Sequence, residues 1–92
     1  MTQEDILALL KVDLGIFGSA YDDYLKHLIS TAGGFIEKEG IHLQLEDQDD
    51  VHLLIMYAAF LFRKRATDEG MPRSLRWALN NRLFGGGTNV TG

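Results

Sequence analysis

DQDDVHLLIMYAAFLFRKR, residues 47–65, is the stretch that decides the fold. Its centre, VHLLIMYAAFLF, is apolar at nearly every position and leaves no polar face at helical spacing. Three acids lie before this centre and three bases close it, which suits the positive N-terminal and negative C-terminal ends of a helix. A helix without a polar face has to be covered on several sides. We therefore predict a central helix over residues 48–66, with the rest of the chain packed around it.

Three further helices are predicted around the central one. Ser19 and Asp22 resemble a capping box at the start of a long, regularly amphipathic helix. Gly33 and Gly34 lie inside that helix, where they permit either a close backbone crossing or a kink. Pro72 at a first helical position starts the last helix. The predicted ranges are residues 3–12, 20–39 and 72–84, so the predicted fold class is all-α.

Two of the connecting segments are rich in apolar residues. Leu14, Ile16 and Phe17 lie in a glycine-punctuated loop over residues 13–19. We expect these three side chains to be buried, either under the domain core or against a neighbouring subunit. Residues 40–46 alternate apolar and polar side chains, but the sequence offers no second strand to pair with them. An isolated strand is not stable, so we predict a connector there.

Length and charge restrict the class of protein. A chain of 92 residues makes one domain, predicted over residues 1–84, with a flexible glycine-rich tail over residues 85–92. The net charge is −4, with three basic and eleven acidic residues up to Phe62 and six basic and two acidic residues after it. This asymmetry favours either nucleic-acid contact by the basic part or head-to-tail contact between copies. The acidic whole argues against nucleic acid.

No catalytic, cofactor or metal site is predicted. The chain has no cysteine, which excludes a thiolate nucleophile or metal ligand. The acidic residues 46–50 fail as an EF-hand because His52 stands where the loop requires glycine, so we predict a solvated helix N-terminus. Asp23 and His27 are one helical turn apart but have no third ligand. The sequence also lacks a signal peptide and an apolar run of membrane-spanning length, so we expect a cytoplasmic origin.

The C-terminal third carries the strongest functional indication. On the last helix Leu75 and Leu79 form a core stripe, while Trp77 and Phe84 fall nearly opposite. Either other helices cover this second stripe, or it contacts another subunit, since Trp and Arg are common interface anchors. The basic residues also fit an ordinary solvated surface. The candidate interface residues are Asp22, Asp23, Asp47, Asp49, Asp50, Arg63, Arg65, Arg73, Arg76, Trp77, Arg82 and Phe84.

The order and spacing of several short patterns resemble a known family. These are LLKVD at residues 9–13, DDYL at 22–25, FIE at 35–37, RKR at 63–65 and MP at 71–72. Over residues 3–84 the chain resembles the small head–tail connector proteins, also called head-completion or adaptor proteins, of tailed double-stranded DNA bacteriophages and their prophages. Two departures are the absence of a proline before the third helix and the short glycine-rich tail.

The resemblance implies a structural protein of the virion, with no enzymatic activity and no cofactor. Such proteins form a ring of about a dozen copies that joins the portal to the tail after DNA packaging. The implied partners are other copies, the portal protein and a tail-side completion protein, and no membrane. Double-stranded DNA would pass through the lumen without sequence-specific binding. The implied location is the head–tail interface of the virion, after synthesis in the cytoplasm of the host bacterium.

A small helical DNA-binding regulator is the alternative. In that case the last helix would be a recognition helix carrying Arg73, Arg76 and Arg82. The negative net charge argues against this function. The predicted turn between the last two helices is also longer than that of a typical helix-turn-helix.

Overall fold

The computed structural model describes residues 2–68 and 70–85, which fold into four α-helices. They are α1 (Gln3–Leu14), α2 (Asp22–Lys38), α3 (Gln48–Thr67) and α4 (Arg73–Gly85). The predicted all-α class is confirmed, and the described residues contain no strand. Every predicted helix boundary lies within two residues of the observed one. Gly85 ends α4 instead of starting the tail, and the rest of the predicted flexible tail, residues 86–92, lies outside the described residues.

Helix α3 is the central element, as its apolar sequence predicts. It packs against α1, α2 and α4, and its buried side chains point in several directions around the helix. His52 is exposed and Met56, one turn later, is only partly buried. The buried apolar residues of α3 are Val51, Leu53, Leu54, Ile55, Tyr57, Ala58, Ala59 and Phe60. The strip that carries His52 and Met56 is therefore the part of α3 that its neighbours leave accessible.

The other elements each contribute one face to a single core around α3. Burying a Leu or Ile side chain contributes roughly 1.5–3 kcal/mol, so this core is the main source of stability. The side chains supplied by α1, α2, the connector and α4 are Ile6, Leu7, Leu10, Leu25, Leu28, Ile29, Ala32, Ile36, Ile41, Leu75 and Leu79.

Two ion pairs link α1 to α2 and show the relative direction of the two helices. Lys11 Nζ lies 2.8 Å from Asp22 Oδ1, and Lys26 Nζ lies 3.0 Å from Glu4 Oε2. The end of α1 thus faces the start of α2, and the two helices run antiparallel. Asp22 is a candidate interface residue, and its carboxylate is paired with Lys11 within the chain.

Helix ends differ from the predicted ones for local reasons. Helix α1 is two residues longer because Gly15, with φ of 71°, supplies the left-handed cap and donates to the carbonyls of Lys11 and Val12. The predicted Ser19 cap of α2 is wrong, because the residue before the helix is Tyr21, which makes no side-chain capping bond. Pro72 stands one residue before α4, where its carbonyl accepts from the backbone of Leu75 and Arg76.

The connector between α2 and α3 is confirmed. Ile41 is buried, Leu43 and Leu45 are half-buried, and the side chains between them face solvent. Of the two alternatives for the glycine pair, the close backbone crossing is not observed. A Cβ on Gly33 would lie 3.9 Å from Leu54 Cδ1, an ordinary contact, and one on Gly34 would meet nothing within 4 Å.

Candidate assembly surface

The second apolar stripe of α4 faces outward. Trp77 is 67% exposed and Phe84 is 80% exposed, whereas Leu75 and Leu79 on the opposite side are buried. The alternative in which other helices cover both stripes is therefore wrong. Two large aromatic side chains remain in water, where they gain nothing from the core.

Trp77 forms one wall of a groove between α3 and α4. We call it the Trp77 groove; its volume is about 390 Å³. Leu53 and Met56 of α3 supply its apolar side, and Asn81 of α4 and Asp49 at the start of α3 supply exposed polar groups. The full lining is Asp49, Asp50, His52, Leu53, Met56, Trp77, Ala78, Asn81, Arg82 and Gly85. The groove is thus an apolar cleft with a polar margin, as is usual for binding sites.

Two arginines anchor the helix that carries Trp77. Arg76 donates from both terminal nitrogens to the Glu39 carboxylate at 3.2 and 3.1 Å. Arg82 donates to Asp50 from Nε at 2.7 Å and from Nη2 at 3.2 Å, and its Nη2 also reaches the carbonyl of His42 at 3.0 Å. Both arginines are candidate interface residues, and both make ion pairs within the chain. They hold α4 in place and so fix the shape of the Trp77 groove.

The prediction of a solvated helix N-terminus at residues 46–50 is wrong for Asp50, which is buried. Its side chain is only 1% exposed, and it accepts a further hydrogen bond from the backbone N–H of Gln44 at 2.8 Å. Burial is the largest influence on its pKa and opposes ionisation. The hydrogen bonds from Arg82 and Gln44 outweigh burial, so the pKa of the Asp50 carboxyl lies below its usual value. Asp50 is therefore a buried anion that joins α4, the connector and α3.

The α1–α2 loop presents a single aromatic side chain to solvent. Leu14 and Ile16 pack partly against the core, but Phe17 is 94% exposed. The expectation that all three loop residues are buried within the domain is therefore wrong for Phe17. Gly15 and Gly18 flank it with φ of 71° and 85°, conformations that other residues rarely adopt.

Both ends of this loop are tied to the C-terminal part of α3. Before the loop, Asp13 Oδ2 lies 3.6 Å from Arg63 Nη2. After the loop, the Tyr21 ring makes an edge contact with Phe62, with ring centroids 5.8 Å apart. The two ends of the loop that carries Phe17 are therefore attached near the basic end of α3, by which we mean Arg63, Lys64 and Arg65.

Arg65 covers an aromatic cluster that the sequence alone did not reveal. Its guanidinium carbon lies 4.2 Å from the ring centroid of Phe62 and 5.6 and 5.9 Å from those of Tyr21 and Tyr24. Tyr24 also approaches Phe62, at 6.3 Å between centroids. This cation–π arrangement joins the start of α2 to the end of α3. Arg65 thus has a role within the fold that its assignment to an interface did not include.

The remaining candidate residues are exposed and lie on three different helices. Asp47 and Asp49 form the acidic end of α3, next to the Trp77 groove; Asp47 also caps the helix by accepting from the Asp49 N–H at 2.9 Å. Arg73 starts α4, and Asp23 lies in the first turn of α2. Arg73 makes no ion pair with any other described residue. The structure therefore does not bring the twelve candidates together into one surface.

A second apolar groove lies between α1 and α3. Val12, which is 79% exposed, and Leu9 line it together with Val51 and Ile55, and its volume is about 480 Å³. His52 borders both this groove and the Trp77 groove. The accessible strip of α3 thus carries apolar clefts on both sides.

Several kinds of site receive no support among residues 2–68 and 70–85. No group of three or more His, Cys, Asp or Glu side chains there is placed to hold a metal ion. No helix in this part of the chain is long and apolar enough to cross a membrane. Comparison of the sequence with protein-family models and curated proteins, and of the structure with solved structures, yields no match.

Proposed function

We propose that this protein is a structural subunit that assembles with copies of itself, as a head–tail connector protein of a tailed bacteriophage does. The observation that carries the proposal is the exposure of Phe17, Trp77 and Phe84 on two different elements of a small domain. Transfer of such side chains from water to an interface is worth roughly 1.5–3 kcal/mol each. Large exposed apolar surface that is rimmed by polar residues usually marks an interaction site, and the Trp77 groove has such a polar margin.

The charge distribution supports assembly through unlike surfaces. The acidic end of α3 and its basic end lie at opposite ends of a helix of 20 residues, which is about 30 Å long. A ring requires one face of a copy to meet a different face of the next copy. Oppositely charged ends favour that arrangement and oppose the contact of two identical ends.

The resemblance to connector proteins gives this assembly its biological setting. In the proposed setting, a ring of about a dozen copies lies at the head–tail interface of the virion, between the portal protein and a tail-side completion protein. Double-stranded DNA passes through its lumen. The net charge of −4 supports passage without tight binding, because a negative protein does not attract phosphates strongly.

The geometry gives less support to the DNA-binding regulator. A recognition helix needs free side chains that reach the bases. Two of the three arginines proposed for that role, Arg76 and Arg82, already bind Glu39 and Asp50. Only Arg73 of the three has no partner among the described residues.

Light scattering across a concentration series tests the proposal. The mass of the purified protein should rise from 10.3 kDa at low concentration to a closed assembly of many copies at high concentration, visible as rings in negative-stain images. Arg73→Glu should weaken assembly, because it reverses an exposed charge without breaking an ion pair. A protein that stays monomeric at every concentration would contradict self-assembly. Submicromolar binding to duplex DNA near physiological salt would favour the regulator instead.

A further inference from the structure

We propose that Phe17 of one copy inserts into the Trp77 groove of the next copy. This inference rests on the proposed self-assembly and names the contact that carries it. Phe17 and the groove belong to different parts of the chain, so the contact is heterologous and adds copies in one direction. The argument uses the position of Phe17, the lining of the groove and the charges beside each.

Phe17 is suited to insertion because it protrudes from a loop whose ends are held. Asp13 pairs with Arg63 before the loop, and Tyr21 packs on Phe62 after it. Gly15 lets the chain leave α1 sharply through its positive φ. A side chain that is presented by an anchored loop loses little conformational freedom when it binds.

The Trp77 groove matches this side chain in size and chemistry. Its volume of about 390 Å³ leaves room for one aromatic ring. Trp77, Leu53 and Met56 supply aromatic, aliphatic and thioether surfaces, all of which favour contact with a ring. Because Trp77 is itself mostly exposed, the insertion would remove two aromatic side chains from water at once.

Charge distinguishes this groove from the one between α1 and α3. The loop that carries Phe17 is attached at both ends near the basic end of α3, whereas the Trp77 groove borders Asp49 and the acidic end. Insertion therefore brings opposite charges together. The α1–α3 groove contains one acid, Asp13, and that residue is already paired with Arg63. The complementary charges thus select the Trp77 groove as the receiving site.

A complementation experiment tests the contact directly. Phe17→Ala removes the inserting side chain and leaves the groove intact. Asn81→Lys places a positive charge at the groove, where it repels the incoming basic end, and leaves Phe17 intact. Each variant alone should lose assembly, with a rise in dissociation constant of at least about tenfold. A mixture of the two should form a complex of one copy of each and stop there, because only one productive contact is possible.

Matched controls separate this contact from general effects. Val12→Ala changes another exposed apolar residue that lies outside the contact, and this variant should assemble as the wild type does. Asn81→Glu adds a charge of the opposite sign to that of Asn81→Lys, and this variant should assemble at least as tightly as the wild type. Circular dichroism checks that every variant remains helical. The fluorescence of Trp77, the sole tryptophan, should shift to shorter wavelength on assembly and on mixing of the two defective variants. Salt raised from about 0.05 to about 0.5 M should weaken both associations.

The outcomes distinguish a failure of the Phe17 insertion from a failure of self-assembly itself. If the wild type assembles and Phe17→Ala assembles equally well, the insertion is refuted while self-assembly stands. If Phe17→Ala and Asn81→Lys fail alone and also fail to pair when mixed, a contact between these two sites is refuted. If the wild type itself does not associate, the proposed function fails and the insertion fails with it.

Discussion

Replacing Arg82 with Met should destabilise the protein by about 3 kcal/mol near neutral pH. The Asp50 carboxylate accepts three hydrogen bonds, at 2.7 and 3.2 Å from Arg82 and at 2.8 Å from the Gln44 N–H, and the substitution removes the first two. Removal of one partner of a buried ion pair costs about 3–5 kcal/mol, and we take the lower value because Arg82 keeps some contact with water. Small domains have only about 5–15 kcal/mol of stability in total.

The pH dependence of the loss in stability shows whether it comes from the buried Asp50 carboxylate. In the wild type the pKa of Asp50 is lowered, so its contribution to stability is present above its usual pKa of about 4 and is lost as the pH falls through the lower value. Without Arg82, burial should raise the pKa of Asp50, and the protonated carboxyl then avoids the cost of an unpaired charge. The difference between variant and wild type should therefore shrink as the pH falls from about 7 to about 3.

Urea unfolding followed by circular dichroism at several pH values measures this difference. Arg76→Met is the matched control, since Arg76 lies on the same helix and also makes two hydrogen bonds to a carboxylate. Its pair with Glu39 is more accessible to water, so we expect a smaller loss. A loss for Arg82→Met that stays the same at all pH values would refute the role assigned to Asp50.

Three further substitutions test individual features of the fold. Arg65→Lys keeps the charge but loses the planar stacking on Phe62. The melting temperature in a thermal unfolding scan should therefore fall by a few degrees, because an exposed cation–π contact is worth about 0.5–1 kcal/mol. An unchanged melting temperature would show that charge alone matters. Gly34→Ala should stabilise α2 by about 1 kcal/mol in urea unfolding, because its Cβ meets nothing within 4 Å, and a loss would reveal a packing role for this glycine. Gly40→Ala should destabilise the protein by about 1–2 kcal/mol in the same assay, because φ at Gly40 is 98° and the added Cβ would lie 3.4 Å from Leu83 Cδ1. An unchanged free energy of unfolding would mean that the backbone relaxes there.

Helices were predictable because each depends on residues close in sequence. The apolar centre of α3 predicted both the helix and its central position, and the alternation at residues 40–46 predicted which connector side chains point inward. Boundaries were less accurate where backbone geometry decided them. Gly15 extended α1 through its left-handed conformation, and Tyr21 replaced Ser19 at the start of α2.

The candidate site was predictable only in part. The helical spacing correctly placed Trp77 and Phe84 opposite the core stripe. It could not show whether a charged residue has a partner, because Asp50 and Arg82 are 32 positions apart and meet only through the packing of α4 on α3. Long-range pairing of this kind depends on the whole fold. For the same reason the sequence did not reveal the aromatic rings around Arg65.

The internal ion pairs of α4 help to preform the Trp77 groove, the docking site of the proposed assembly. A small domain has little core with which to fix its last helix, and α4 buries only Leu75 and Leu79. The ion pairs of Arg76 and Arg82 add two fixed points, about one and a half turns apart, between which Trp77 is presented. A groove that is already formed requires less ordering when a second copy binds, so more of the free energy of the apolar contact contributes to affinity. In the proposed assembly, Arg76 and Arg82 thus contribute indirectly, by holding the helix that presents Trp77.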